Sequence, residues 1–295
     1  MFPYPFRYFA PTTPEEAFGV LEQYGDEAKI LAGGQSLLPM MKLRLAAPGV
    51  LIDINGISEW NRITEDAHAL TQGSLIRHSH WEHTHHIRIP LLYETAGHIA
   101  DPLVRNRGTV GGSLAHADPA ADWGASLLAL KAQVHVQSRV RERWIALRDF
   151  FIDTFVTVLE PQEIVTAIQI PLASETDFTG ARYLKLERKV GDFAVVGVAV
   201  TCSFNDQGIV TEAGIGLAAV GASPLSASGA ESLLINHPLT SEVIQEAAER
   251  AAEECDPQSD RRGSEEYKRA MVRVFVERGL RAIQADWENR LKKPA

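Results

Sequence analysis

Cysteine is nearly absent: Cys202 and Cys255 are the only two in 295 residues. Four thiolates for an iron–sulfur cluster cannot be found in this chain, and so few thiols suit a reducing compartment. Cationic residues are outnumbered, 29 Lys and Arg against 38 Asp and Glu, and the net charge of −9 disfavours nucleic acid as a partner. No apolar run of about 18 residues occurs, so no membrane span is expected. The start, Met-Phe-Pro-Tyr-Pro-Phe-Arg, lacks a charged segment followed by an apolar one, and the expectation is a cytoplasmic protein without a signal peptide. Two common nucleotide fingerprints are also missing. Neither G-x-x-x-x-G-K-[ST] nor G-x-G-x-x-G is present, and the only G-x-G, Gly214-Ile-Gly216, lies in an apolar strand-like run with no helix start behind it. Simple P-loop and Rossmann folds are thereby disfavoured.

What is present is an ordinary globular composition, 45% apolar and 23% charged, long enough for two or three subdomains. Lys29 to Ala32 reads as a buried strand that stops at Gly33-Gly34, and helix formers begin after Ser36, which could cap them. Glycines let a backbone approach an anion closely, and a helix start points N–H groups and partial positive charge at it. The same logic returns at Arg105-Asn-Arg-Gly-Thr-Val-Gly-Gly-Ser-Leu114. Alone, Gly33-Gly34 also reads as a tight turn after a strand. Two together suggest two phosphates, and a pyrophosphate is the simplest ligand to use both.

Taken in order, residues 2–11 suit an extended arm, and Thr13-Pro-Glu-Glu16 starts a helix that Gly25 ends. After the first glycine turn come a short helix including Met40 to Leu45 and a buried strand, Val50 to Ile54, closing a β-α-β unit. Short strands at 62–65 and 69–74 lead to Arg77-His-Ser-His-Trp-Glu-His-Thr-His-His86. With no nearby Cys and no H-x-x-x-H pair in an apolar helix, this stretch reads as a solvated polar helix before it reads as a metal site. Helices at 90–99 and 124–131, a hairpin of strands at 133–138 and 143–147, and a strand at 163–170 follow. Beyond 178 the pattern gives strands at 183–189, 193–204 and 209–218, then helices near 226–234, 240–254 and 265–288.

The motifs now converge. Ala32-Gly-Gly-Gln-Ser36, Thr109-Val-Gly-Gly-Ser113 and Ala117-Asp-Pro-Ala-Ala-Asp122 precede Tyr183-x-Lys185-x-x-Arg188, Gly191-Asp-Phe193 and Asp260-x-Arg-Gly-Ser264-x-x-Tyr267. In this order, over nearly the whole chain, they resemble the FAD-binding medium subunit of molybdenum hydroxylases. That family includes carbon monoxide dehydrogenase, nicotine dehydrogenase and the flavin domain of xanthine dehydrogenase. The resemblance implies an α+β chain. A two-subdomain FAD-binding domain of the vanillyl-alcohol-oxidase (PCMH) type would span 1–176, divided at about 56. A CO-dehydrogenase-flavoprotein C-terminal domain, a three-stranded antiparallel sheet plus helices, would span 177–290.

It further implies FAD as cofactor, with residues carried over by position. Lys29, Ile30, Leu31, Ala32, Gly33, Gly34, Gln35, Ser36 and Leu37 would wrap one phosphate side, and Thr109, Gly111, Gly112 and Ser113 the other. Asp122 and Lys185 would lie along the ribitol and isoalloxazine, Ile99 and Val165 would form an apolar wall, and Phe193 would stack on the ring. Asp118 travels with the same set. Plainer readings stand beside these: Lys185 as a surface lysine, Asp118 and Asp122 as helix N-terminal charges, Phe193 as the first core residue of its strand. Two positions depart from the family pattern, Ser113 where Asn is frequent and Phe193 where Tyr is frequent, and the Cys-rich insertion of some relatives is missing.

The implied function is electron transfer. A large molybdopterin-binding subunit would oxidise substrate, and a small subunit with two [2Fe–2S] clusters would pass electrons to FAD on this chain for delivery to an external acceptor. A heterotrimer that can dimerise is the implied assembly. The alternative is a self-sufficient flavin oxidoreductase, which would need a general base that the motifs do not supply.

Overall fold

The computed structural model describes residues 2–292 apart from 87 and 175–177. The expected 176/177 domain boundary falls outside the described residues.

The first unit is built on three parallel strands in the order β1-β3-β2: β1 (Arg7–Phe9), β2 (Ala28–Leu31) and β3 (Val50–Asp53). The N-terminal arm thus contributes a strand where only an extended segment was expected. Helix α1 (Pro14–Tyr24) opens as its sequence dictates, with the Thr13 hydroxyl accepting from the Glu16 N–H, and it buries Ala17, Phe18 and Leu21 against this sheet. Helix α2 (Leu37–Lys42) follows the first glycine turn and is brief, ending where Arg44 adopts φ 60°.

The second unit is a five-stranded antiparallel sheet in the order β4-β5-β10-β6-β7: β4 (Ile63–Glu65), β5 (Ala69–Gly73), β6 (Gln133–Gln137), β7 (Glu142–Ala146) and β10 (Ile164–Pro171). Five helices are inserted between β5 and β6: α3 (His78–Glu82), α4 (Pro90–Ala96), α5 (Pro102–Arg105), α6 (Val110–His116) and α7 (Asp122–Ala129). A small hairpin, β8 (Phe151–Asp153) with β9 (Val156–Thr157), precedes β10. The His-rich stretch is not a solvated helix: α3 has five residues, and His78 and Trp81 are buried. Trp81 enters the core and donates its indole N–H to Gln72, so one apolar ring overrides the polar composition around it.

The third unit is an antiparallel sheet, β11-β12-β13-β14: β11 (Phe178–Leu186), β12 (Val196–Phe204), β13 (Val210–Ala218) and the short β14 (Leu225–Ser226). Helices α8 (Ser228–Leu234), α9 (Ser241–Glu254) and α10 (Glu265–Lys292) pack with it. β12 is buried along its whole length because α7 of the second unit covers the other face of the sheet. It starts at Val196, not Phe193, since register with β11 ends at Leu186↔Val196.

That docking explains the lone G-x-G. A Cβ on Gly214 would overlap the Ala129 carbonyl oxygen, and one on Gly216 the Ala125 carbonyl oxygen. The glycines let the helix backbone lie directly on the strand. Its start, Asp122, is thereby set against β11.

Candidate functional site

The two glycine turns meet. A Cβ on Gly33 would stand 2.5 Å from the Arg107 carbonyl oxygen and 2.6 Å from Gly108 Cα, so only glycine admits this approach. Gly34 takes φ 73°, a left-handed conformation natural to glycine. Among the described residues, the backbone N–H groups of Gly33, Gly34, Gln35 and Ser36 donate to no group of the chain. Ser36 does not cap α2 with its side chain, contrary to expectation; the Leu38 N–H instead reaches the Gly34 carbonyl.

The second turn differs. The Thr109 hydroxyl accepts from Gly112 N–H at 3.1 Å, Val110 and Gly111 donate to the carbonyls of Ile76 and Ser74, and Ser113 donates to the Thr109 carbonyl. Every N–H of this first helical turn is already used. The expectation that both turns offer free helix N–H groups holds for the first alone, and the second offers the Ser113 hydroxyl, which has no partner among the described residues.

One side chain joins the turns. Arg77 Nη1 donates to the Arg107 carbonyl, and Nη2 donates to Asn55 Oδ1 at 2.5 Å. Asn55 Nδ2 in turn donates to the Ala32 carbonyl at 2.8 Å. Both acceptors of Arg77 are neutral, and among the described residues no carboxylate is within ion-pair distance of it, although the Asp53 charge acts on it from further off. Burial, then the nearby Arg107 charge, lowers its pKa from the ordinary arginine value.

A second cluster surrounds Asp122. The Tyr183 hydroxyl donates to Asp122 Oδ1 at 2.6 Å, and Lys185 Nζ lies 3.0 Å from the same oxygen. Lys185 also donates to the His98 carbonyl at 2.9 Å and stands 3.6 Å from Glu187. Its side chain is 1% exposed, so the surface-lysine reading is corrected. Burial raises the Asp122 carboxyl above its ordinary value, with Lys185 and Tyr183 opposing, and burial beside that carboxylate pushes the Tyr183 phenol well up. Asp118 is not a helix N-terminal charge: it accepts from Ala120 N–H at 2.9 Å in a local turn, four residues before α7 begins.

Of the other expected residues, Val165 is buried in the second core with Ile99 packed against it. Lys29 is exposed on β2, Leu31 is buried, and Ile30, Ala32 and Leu37 are half-buried. Phe193 is 50% exposed in the loop before β12.

Residues 4–173 match the family described as the FAD binding domain in molybdopterin dehydrogenase, and residues 181–283 the CO dehydrogenase flavoprotein C-terminal domain. The chain belongs to the FAD-binding medium subunits of the molybdenum hydroxylases. It is 40% identical to the carbon monoxide dehydrogenase medium chain of Hydrogenophaga pseudoflava, covering 97% of this chain and 99% of that one. It is 36% identical to subunit alpha of the 6-hydroxypseudooxynicotine dehydrogenase complex of Paenarthrobacter nicotinovorans, over 95% of both chains. A chain in the structure of the Hydrogenophaga pseudoflava carbon monoxide dehydrogenase superposes with TM-score 0.92 and 41% identity, covering 97% of this chain and 99% of that chain.

The cofactor of this medium-subunit family, FAD, suits the residues present. Four N–H groups in succession with no partner among the described residues, a glycine where a Cβ would fill the approach, and a half-buried guanidinium whose hydrogen bonds go to neutral acceptors together ask for a polyanion. Sequence reasoning missed three residues here. Arg77 is read only as the start of the histidine stretch, and Asn55, just past the strand Val50 to Ile54, is given no role. His78 accepts the Trp123 indole N–H at 2.9 Å while its Nε2 faces Gly108, tying the second turn to α7. Only the Asn55-Gly56 pair after a strand hinted at any of them.

Proposed function

We propose that this medium subunit is the electron-transfer flavoprotein of a three-chain complex. Electrons arrive from a small partner subunit carrying two [2Fe–2S] clusters and leave to an external acceptor, while a large molybdopterin-binding subunit oxidises the substrate. FAD supplies the two-electron redox centre that links one-electron carriers to that acceptor. The observation that carries the reading is the run of unpartnered N–H groups at Gly33–Ser36 beside Arg77, a place for the FAD pyrophosphate.

On this reading the glycine turns and Ser113 hold the phosphates, Arg77 and Asn55 fix the spacing of the turns, and Asp122 with Lys185 flank the cofactor further along. Lys185 shares its charge between two carboxylates, so it steadies Asp122 before it can stabilise a reduced, anionic ring. Cys202 is buried in β12 with its thiol pushed up to about 12 by burial, and Cys255 is buried as well, which supports a reading in which the clusters sit on a partner. We assign 1–176 to FAD binding and 177–290 to the C-terminal domain, and a cytoplasmic heterotrimer that can dimerise.

The test is affinity purification of the tagged chain from its host under native conditions. The expected result is a yellow complex with two further chains, one containing molybdenum and one iron–sulfur. A chain that purifies alone and whose flavin is bleached by a heterocyclic or aldehyde substrate would replace this reading with a self-sufficient flavin oxidoreductase.

A further inference from the structure

The loop between β11 and β12 holds its backbone from several sides while leaving its aromatic side chain uncovered. Gly191 has φ 83°, and a Cβ on it would stand 2.7 Å from the Ala100 carbonyl oxygen. Asp192 Oδ1 accepts from the Phe193 N–H at 2.9 Å, and Arg188 donates to Asp192 Oδ2 through Nε and Nη2, both at 3.2 Å. The remaining hold comes from far along the chain. Arg262 Nη1 donates to the carbonyls of Phe193 at 3.3 Å and Ala194 at 3.1 Å, and its Nη2 stands 3.5 Å from Asp192.

Arg262 is itself anchored. Its N–H donates to Asp260 Oδ1 at 2.7 Å, and Asp260 Oδ2 lies 2.8 Å from Nζ of Lys268, a buried lysine that also donates to the Gln258 carbonyl. The late Asp260-x-Arg-Gly-Ser264 signature therefore acts on residues 192–194. Ordering a loop costs conformational entropy, which burial normally offsets. Here Phe193 stays 50% exposed and Val190 94% exposed, so the order gained is the orientation of an open aromatic face.

We propose that Arg262 is a positioning residue: it fixes the Phe193 peptide so that the ring forms a rigid stacking face for the isoalloxazine. The flavin environment is thereby coupled to the turn ahead of α10. This rests on the FAD reading above and adds to it a residue that acts through another.

The experiment compares the full-length chain with its Arg262→Gln, Phe193→Leu and double variants. Amide hydrogen exchange is followed on flavin-free protein, and the flavin midpoint potential on protein loaded with FAD. Arg262→Gln is expected to speed exchange at Phe193 and Val195 at least about tenfold, the loss attending one charge-assisted hydrogen bond. It is also expected to shift the potential in the same direction as Phe193→Leu, with no further shift in the double variant. Faster exchange with an unmoved potential would make Arg262 a loop staple and overturn the proposal. Additive shifts would overturn it too, because Arg262 would then act by its own charge. A wild-type chain that takes up no FAD would defeat the underlying reading, and that is seen before any variant is compared.

Discussion

Gly216 of β13 lies directly beneath Ala125 of α7, so close that a Cβ would overlap the helix carbonyl. The helix that bears Asp122 at its first position is seated by bare backbone, and Gly214 under Ala129 repeats the contact one pleat along. Gly216→Ala should therefore lower stability by about 1–3 kcal/mol or more, the usual range for overpacking a tight interface. Thermal unfolding of the purified chain checks this. An unchanged Tm would mean that the helix yields easily.

Gly33→Ala should abolish FAD retention, because the added methyl meets the backbone of Arg107 and Gly108 and forces the turns apart. Gly97→Ala, with open space around it and a helical φ of −64°, serves as the matched control and should keep full flavin content. The ratio of flavin to protein absorbance reads both. Equal ratios would mean that contact between the turns is irrelevant to the cofactor.

Arg77→Gln should weaken binding of ADP, a probe with the pyrophosphate but no flavin ring, by roughly tenfold or more, as expected when a charge-assisted contact is lost. Adenosine should bind the two proteins alike. Titration calorimetry at two salt concentrations checks the charge component, since the difference between proteins should narrow as salt rises. An unchanged ADP affinity would reduce Arg77 to a backbone pin.

His78 is pushed down to about 3 by burial, with the charges of Arg77 and Arg105 adding to the effect. The folded chain keeps this ring neutral while the unfolded chain protonates it near its ordinary value. Below about pH 6.5 the unfolded state binds the extra proton, and stability falls by about 1.4 kcal/mol per pH unit from this group until the folded value is reached. Nothing is gained or lost through it above that range. His78→Gln, which keeps an acceptor for Trp123, should show a shallower loss in denaturant titrations between about pH 6 and pH 4. Parallel slopes would show that His78 is accessible to protons in the fold.

The first glycine turn was legible because a glycine pair directly after an apolar strand leaves few alternatives; the second pair lies in the first turn of α6, behind a helix, and was legible only through the hydroxyl and glycines it shares with the first. Most strands and helices were legible from periodicity. Their division of labour was not. Whether a backbone N–H is free depends on which distant carbonyl faces it, as Ile76 and Ser74 do for Val110 and Gly111. For Lys185 a surface position on an alternating strand stayed open beside the cofactor reading, because α7 and the His98 segment, which cover it, come from sequence far away. The same holds for Arg77, whose partners, Asn55 and Arg107, are separated from it by 22 and 30 positions. Phe193 merged with the apolar run of β12, and only the loss of register beyond Val196 separates them.

The seat of α7 on Gly214 and Gly216 has a bearing on how such subunits can be recombined. A chimera joining the front half of this chain to the back half of a relative would divide the small cluster in which Ala125 and Ala129 meet Ala199 and Ala218, and would mismatch at this contact unless the relative also has glycine at both places. The helix would ride higher by the width of a methyl group, and Asp122 would lift away from Tyr183 and Lys185. Exchange between relatives should therefore succeed when residues 122–129 and 210–218 travel as one cassette, wherever the chain itself is cut.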